Sequence, residues 1–130
     1  MVALMSPTLD PNAPLVLVVD DDEAVRKALQ FALELQGYDV EVCNSGEALA
    51  ECDLSRTHSC LVIDERLQGM SGLATVGLLR SRGVAMPAIL ITSHPQPQLR
   101  AAAQAAGVPI VEKPLIGDGL FSAIRAALAV

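Results

Sequence analysis

Aromatic residues are almost missing from this chain. One Tyr, two Phe and no Trp occur in 130 residues, although 52% of the residues are hydrophobic. A core must therefore be assembled from Val, Leu, Ile and Ala, which suits strands sandwiched between helices. Basic residues are also scarce: nine Lys and Arg stand against fifteen Asp and Glu, a formal charge of -6. Without clustered Lys and Arg to meet a phosphate backbone, direct nucleic-acid binding is not expected. No apolar run approaches membrane-spanning length, so no membrane partner is expected either. Cys43, Cys52 and Cys60 are odd in number and lack CxxC spacing; they read as small core residues in a reducing compartment. The stretch from Met1 to Pro14 has neither the positive charge nor the apolar length of a signal peptide, and its prolines predict a loose arm. The expectation is a flexible arm over 1–13, one compact domain over 14–130, and a cytoplasmic location.

What is present begins with three consecutive acids. Asp20, Asp21 and Asp22 follow directly on Leu15-Val16-Leu17-Val18-Val19, a run apolar and β-branched enough to be a buried parallel strand. The carboxylates then emerge together at its C-terminal end. Like charges that close are costly to keep ionised without a positive partner, and oxygen-only ligands favour Mg²⁺.

Strand and helix patterns then alternate to the end of the chain. Helical spacing of Val25, Leu29, Ala32 and Leu33 predicts a helix over Glu23 to Gln36, closed by Gly37. Tyr38 to Cys43 reads as a second strand, and Ser45 can cap a short helix to Glu51. Cys60 to Ile63 is a third strand, stopping at Asp64, followed by a helix from Leu73 to about Arg82. Pro87 opens a strand over Ala88 to Thr92. An alanine-rich helix from about Gln96 to Ala106 ends at Gly107, and Val108 to Glu112 is a fifth strand. Leu120, Ile124 and Leu128 mark a last helix. Five such alternations predict a doubly wound parallel sheet with helices on both faces.

In open parallel sheets, ligands bind beyond the carboxyl ends of the strands where strand order reverses. In the flavodoxin-like order 2-1-3-4-5, the first and third strands flank that crevice. Their ends carry Asp20, Asp21, Asp22 and Asp64; the fourth and fifth end in Thr92 and Lys113. Acids from neighbouring strands beside a hydroxyl and an ammonium form a kit for phosphoryl transfer, which is mostly positioning and charge neutralisation. Asp64 is the expected nucleophile and Asp20 and Asp21 the expected metal holders. Lys113 is expected to bridge Asp64 at rest and a phosphoryl oxygen afterwards, with Thr92 donating its hydroxyl to another.

At these residues the chain resembles the receiver domain of two-component response regulators. The matching segments are Val18-Val19-Asp20-Asp21-Asp22, Leu61-Val62-Ile63-Asp64, Gly69-Met70-Ser71-Gly72-Leu73, Ile91-Thr92-Ser93 and Glu112-Lys113-Pro114. The resemblance implies phosphorylation of Asp64 by a phosphohistidine on a histidine kinase or histidine phosphotransfer protein. It implies Mg²⁺ held directly by Asp21, Asp64 and the Arg66 backbone carbonyl, with Asp20 acting through water. Ser93 joins Thr92 and Lys113 in the phosphoryl-binding set, and a cis Lys113-Pro114 peptide is implied as well. Asp22 reads instead as an acid at a helix N-terminus.

Departures from the family pattern also stand out. Ile110 occupies the switch position where the family has an aromatic residue, leaving neither ring nor hydroxyl to swing into space that Thr92 vacates. Leu115 stands where Phe is common, and Gln68 where Pro is usual. Arg66 and His94 lie two residues beyond the acceptor and the threonine, positions that in the family tune phosphoryl lifetime; from residue type alone they read as solvated rim residues. His58 reads as a surface residue without a partner.

If Val130 is the natural end, output is expected to be binding to a downstream protein or passing the phosphoryl group onward. The helix near Gln96 to Ala106 has one charged residue, Arg100, which predicts a partner or homodimer surface. A phosphate sink or relay intermediate needs the same site as a diffusible effector. A receiver-like docking module that is not phosphorylated would have lost an acid, the hydroxyl or the lysine, and all are present. Aspartyl phosphatases generally need a second Asp where Arg66 stands, and no GxxxxGK[ST] run follows the first strand. A binding and signalling role is therefore expected, not an enzyme.

Overall fold

A computed structural model of the chain describes residues 13–115 and 117–129. The predicted arm falls almost wholly outside the described residues. The elements alternate as β1 (Leu15–Val19), α1 (Glu23–Leu35), β2 (Asp39–Cys43), α2 (Gly46–Ala50), β3 (Ser59–Asp64), α3 (Gly72–Ser81), β4 (Ala88–Thr92), α4 (Pro97–Ala105), β5 (Ile110–Glu112) and α5 (Gly119–Leu128). All the pairings are parallel, and the strand order is 2-1-3-4-5. The protein is thus a flavodoxin-like doubly wound α/β fold, as the alternation predicts. No described helix is long and apolar enough to cross a membrane.

Alternation of side chains along the strands divides the core into two layers. On one face, Leu15, Leu17, Val19, Leu61, Ile63 and Leu90 pack against Leu49 of α2, Val76 and Leu79 of α3 and Ala103 of α4. On the other, Val16, Val18, Val62, Ile89 and Ile91 pack against Leu29 and Leu33 of α1 and Leu120 and Ile124 of α5. Residues 15–19 and 59–64 are buried throughout, so β1 and β3 form the dry centre that carries the acids at its rim. Leu, Val, Ile and Ala supply this interior almost alone, as the shortage of aromatics requires.

Helix ends follow local chemistry. The side chains of Asp22, Ser45 and Ser71 accept from the backbone N–H groups of Ala24, Ala48 and Ala74, each an N-cap. Asp22 therefore has the helix-terminal role read from its sequence position. After α1, Gly37 turns at φ 94° and the Tyr38 N–H returns to the Leu33 carbonyl. Tyr38 is spent closing the helix, so β2 begins one residue later than predicted.

The fifth strand is shorter than predicted for a related reason. Val108 N–H is committed to the Ala103 carbonyl of α4, and Pro109 has no N–H to give. The strand starts at Ile110 and not at Val108. His58 corrects a second expectation. It is exposed, but it adopts φ 57°, and its Nε2 lies 3.2 Å from the Leu128 carbonyl oxygen at the end of α5. The cysteines divide. Cys60 is buried in β3 as expected, but Cys43 is half-buried at the end of edge strand β2 and Cys52 is exposed beyond α2. An apolar neighbourhood in sequence is thus no guarantee of burial at the rim of a sheet.

Gly72 sets how closely α3 approaches the strand end that carries Asp64. A Cβ there would collide with the Asp64 carbonyl oxygen and lie 2.9 Å from a Leu90 methyl. Backbone oxygen cannot rotate aside, so Gly72→Ala is expected to lower stability by about 1–3 kcal/mol, measured by urea unfolding. An unchanged midpoint would show that α3 can slide away without cost.

Candidate functional site

The C-terminal edges of β1, β3, β4 and β5 meet at one mouth. Strand register sets this: Val19 pairs with Ile63, Asp64 with Ile91, and Thr92 with Glu112. The residues just beyond the β1 and β3 pairing are Asp20 and Asp64. Asp20 is 1% exposed and Asp64 is 4% exposed, while Asp21 is open to solvent. Carboxylate oxygens from Asp20, Asp21 and Asp64 all lie within 4.8 Å of one another.

Lys113 reaches into this group from the end of β5. Its Nζ lies 3.3 Å from Asp64 Oδ2 and 3.4 Å from Asp20 Oδ2. The lysine thus bridges two acids from different strands, whereas sequence reasoning assigned it to Asp64 alone. Its backbone N–H is held by the Thr92 carbonyl at 2.9 Å, and the Lys113-Pro114 peptide is cis. Burial, with the Asp20 charge behind it, pushes the Asp64 carboxyl above its ordinary range, and Lys113 and the Arg66 N–H pull it back. Three carboxylates and one ammonium leave a surplus of negative charge. Clustered oxygens with such a surplus fit a hard divalent cation, the donor chemistry expected for Mg²⁺.

The remaining predicted residues surround this centre. Thr92 is buried at the end of β4, its hydroxyl 3.4 Å from the Ser93 carbonyl oxygen, with Ser93 half-buried beside it. Arg66 and His94 are both exposed, which agrees with the rim reading; the Arg66 N–H points to Asp64 Oδ1 at 3.4 Å. Ile110 is half-buried and packs with the layer under α3 and α4. An open polar depression lined by Asp21, Asn44, Ser45, Gln68 and Gly69 adjoins the acids. A larger hollow of about 600 Å³ at the opposite end of the sheet, near Arg56, Pro87 and Leu128, contains none of these acids.

Three supporting residues were not found from sequence. Arg26 of α1 donates from Nη1 to the Asp20 backbone carbonyl at 2.7 Å. Glu65 accepts the Leu73 N–H at 2.8 Å, anchoring the start of α3 beside the acceptor strand. Glu47 of α2 accepts the Met70 N–H at 3.1 Å and so holds the loop after Asp64 from outside. For Arg26, the one available signal is its place one turn into the helix after the acids; for Glu47, whose partner lies 23 residues away, there is none.

Parallel strands in this order, with a lysine-bridged acidic mouth at the switch point, define the class: a flavodoxin-like protein whose acidic mouth suits a divalent cation. A family model described as the response regulator receiver domain matches residues 16–125, and the chain belongs to that family. The transcriptional regulatory protein TdiR of Thauera aromatica is 36% identical over 126 residues, 96% of this chain and 56% of its own length. The transcriptional regulatory protein FixJ of Azorhizobium caulinodans is 35% identical over 119 residues, covering 91% of this chain and 56% of that protein. Among solved structures, the response regulator StyR superposes with a TM-score of 0.82 at 33% identity, over 90% of this chain and 60% of that one. The solved FixJ-N structure gives 0.81 at 32% identity, over 89% of this chain and 94% of that one. The chain thus spans about half the length of the curated relatives it matches.

Glu47→Ala removes the brace on the acceptor loop without touching the acids. Loss of one exposed hydrogen bond, about 1 kcal/mol, is expected to speed amide exchange at Met70 by about fivefold while β3 amides are unaffected. Hydrogen exchange read by NMR checks this, and an unchanged Met70 rate would mean that the loop holds itself.

Proposed function

We propose that this domain is a phosphoacceptor in two-component signalling, with Asp64 receiving a phosphoryl group from a phosphohistidine on a histidine kinase or phosphotransfer protein. The observation that carries the reading is the convergence of Asp20, Asp21 and Asp64 from two strands on one lysine. In the transfer, an Asp64 carboxylate oxygen bonds to phosphorus as the phosphorus–nitrogen bond breaks, and its electron pair leaves with the imidazole. Asp64 needs to be ionised to attack, and Lys113 favours that form. Afterwards the same ammonium pairs with a phosphoryl oxygen, and Thr92, with Ser93 next to it, donates a hydroxyl to another.

Asp21, Asp64 and the Arg66 backbone carbonyl are the proposed direct Mg²⁺ ligands, with Asp20 acting through water. A bound divalent cation supplies neutralisation of the phosphoryl oxygens. Asp20 also holds Lys113 and accepts the Asp22 N–H at 2.9 Å, so it organises the site from the buried side. Arg66 and His94 stand at the entrance, where they can control water access to the phosphorylated group.

Output is proposed to pass through contacts with a downstream protein or a second copy, with the α4 face as the surface. Ala101, Ala102 and Ala105 are exposed there, and Arg100 is tied to Glu112 of β5 at 2.8 Å. Ile110 lies next to this link, so the threonine and β5 must signal through aliphatic packing and not through an aromatic swing.

Incubation with acetyl phosphate and Mg²⁺ is expected to add one phosphoryl group at Asp64, located by mass spectrometry. Asp64→Asn is expected to abolish labelling, and Asp21→Ala to slow it by about a hundredfold, on the order of 3 kcal/mol of lost charge stabilisation. Unchanged labelling of Asp64→Asn would reject the assigned nucleophile. Thr92→Ala is expected to accept the group yet lose phosphorylation-dependent partner binding; retained coupling would remove the hydroxyl from the switch.

A further inference from the structure

The geometry points to Cys43 and Cys52 as a modification site: a dithiol that a hydroperoxide closes to an intramolecular disulfide, stapling α2 to the end of β2. The two sulfurs come from the end of β2 and the turn after α2 and lie 3.8 Å apart. Closing that gap to the roughly 2 Å of a disulfide takes rotation of Cys52, which sits in the exposed turn after α2. Its Sγ is 3.3 Å from the Ala48 carbonyl oxygen, a weak contact that gives way readily. Cys60 is buried inside β3 with its sulfur against its own strand, so it offers no competing partner.

The exposed Cys52 meets the oxidant first. Its sulfur attacks one peroxide oxygen, the O–O bond breaks, and the leaving oxygen departs as water with the thiol proton, leaving a sulfenic acid. Cys43 sulfur then attacks Cys52 sulfur, the S–O bond breaks, and the hydroxyl leaves as water with the Cys43 proton. Two thiols and one hydrogen peroxide give one disulfide and two waters. Burial, then the Cys52 hydrogen bond and charge, push the Cys43 thiol up to about 12. The short distance between the sulfurs favours ring closure over escape.

The staple sits against the acidic mouth but uses none of its side chains. The Cys43 carbonyl accepts the Asp20 N–H at 3.2 Å, and the span that would be closed contains Asn44, Ser45 and Glu47. Oxidation would therefore fix the wall beside Asp21 and the brace on Met70 independently of any phosphoryl transfer.

The test is treatment of the full chain with hydrogen peroxide, followed by intact mass and non-reducing peptide mapping. Expected is a monomer lighter by two hydrogens, restored by dithiothreitol, with Cys43 joined to Cys52. Cys60→Ser should still form it, and Cys52→Ser and Cys43→Ser should not. Cys52 advancing to sulfinic acid while Cys43 stays free, or bridges joining two chains, would overturn the proposal.

Discussion

The attraction of Lys113 for two buried carboxylates is the interaction on which the rest of the site depends. Asp20 and Asp64 oxygens lie within 4.8 Å of each other, where two unit charges at an effective dielectric of about 20 repel by roughly 3–4 kcal/mol. Each attraction to Lys113, at 3.3 and 3.4 Å, is worth roughly 5 kcal/mol on the same scale, before desolvation is charged against it. One ammonium can therefore hold two acids together, but the exposed Asp21 leaves the group over-negative. A site balanced in this way is stable enough to fold and still has an appetite for added positive charge.

The sheet is arranged to make that balance possible. Asp20 and Asp64 are placed by adjacent strands whose apolar runs stop at neighbouring registers, and Lys113 is placed by a backbone bond to the Thr92 carbonyl. Any slip of one residue would turn a carboxylate into the core and a valine into the mouth. The dry layers on both faces forbid such a slip, so packing far from the acids specifies their separation. Gly72 and Glu65 carry the same constraint into α3, because the helix can only start where its first turn fits against the acceptor strand.

Much of this was legible because it is written locally. Apolar runs ending in acids, Ser45 as a cap, Gly37 and Gly107 as helix stops, and the order of Asp20, Asp64, Thr92 and Lys113 along the chain each depend on a few adjacent residues. What escaped depends on residues brought together only by the fold. Glu47 finds Met70 across α2 and the acceptor loop, Arg26 turns back onto a backbone carbonyl, and Arg56 meets the buried Asp39 at 2.7 Å at the other end of the sheet. Asp39 lies inside the predicted second strand with nothing in the sequence to mark it, yet it is 1% exposed. The start of β5 was misjudged because hydropathy ignores donors already spent: Val108 is apolar and buried, but its N–H belongs to α4.

Under the proposed function, Ile110 in place of an aromatic residue would change how the site signals. A ring that swings between buried and exposed positions is a two-state element, whereas a half-buried isoleucine packed under α4 has little to gain by turning outward. What joins β5 to α4 on the surface here is the Arg100–Glu112 pair, both partners about half exposed. An exposed pair of this kind contributes about 1 kcal/mol or less, so it can orient α4 without locking it. Movement at Thr92 reaches Glu112 through the β4–β5 register and Lys113 through the backbone. Both routes end on the same three-residue strand, so under the proposed function short β5, and not a single side chain, is the element that would pass on a change at the acids.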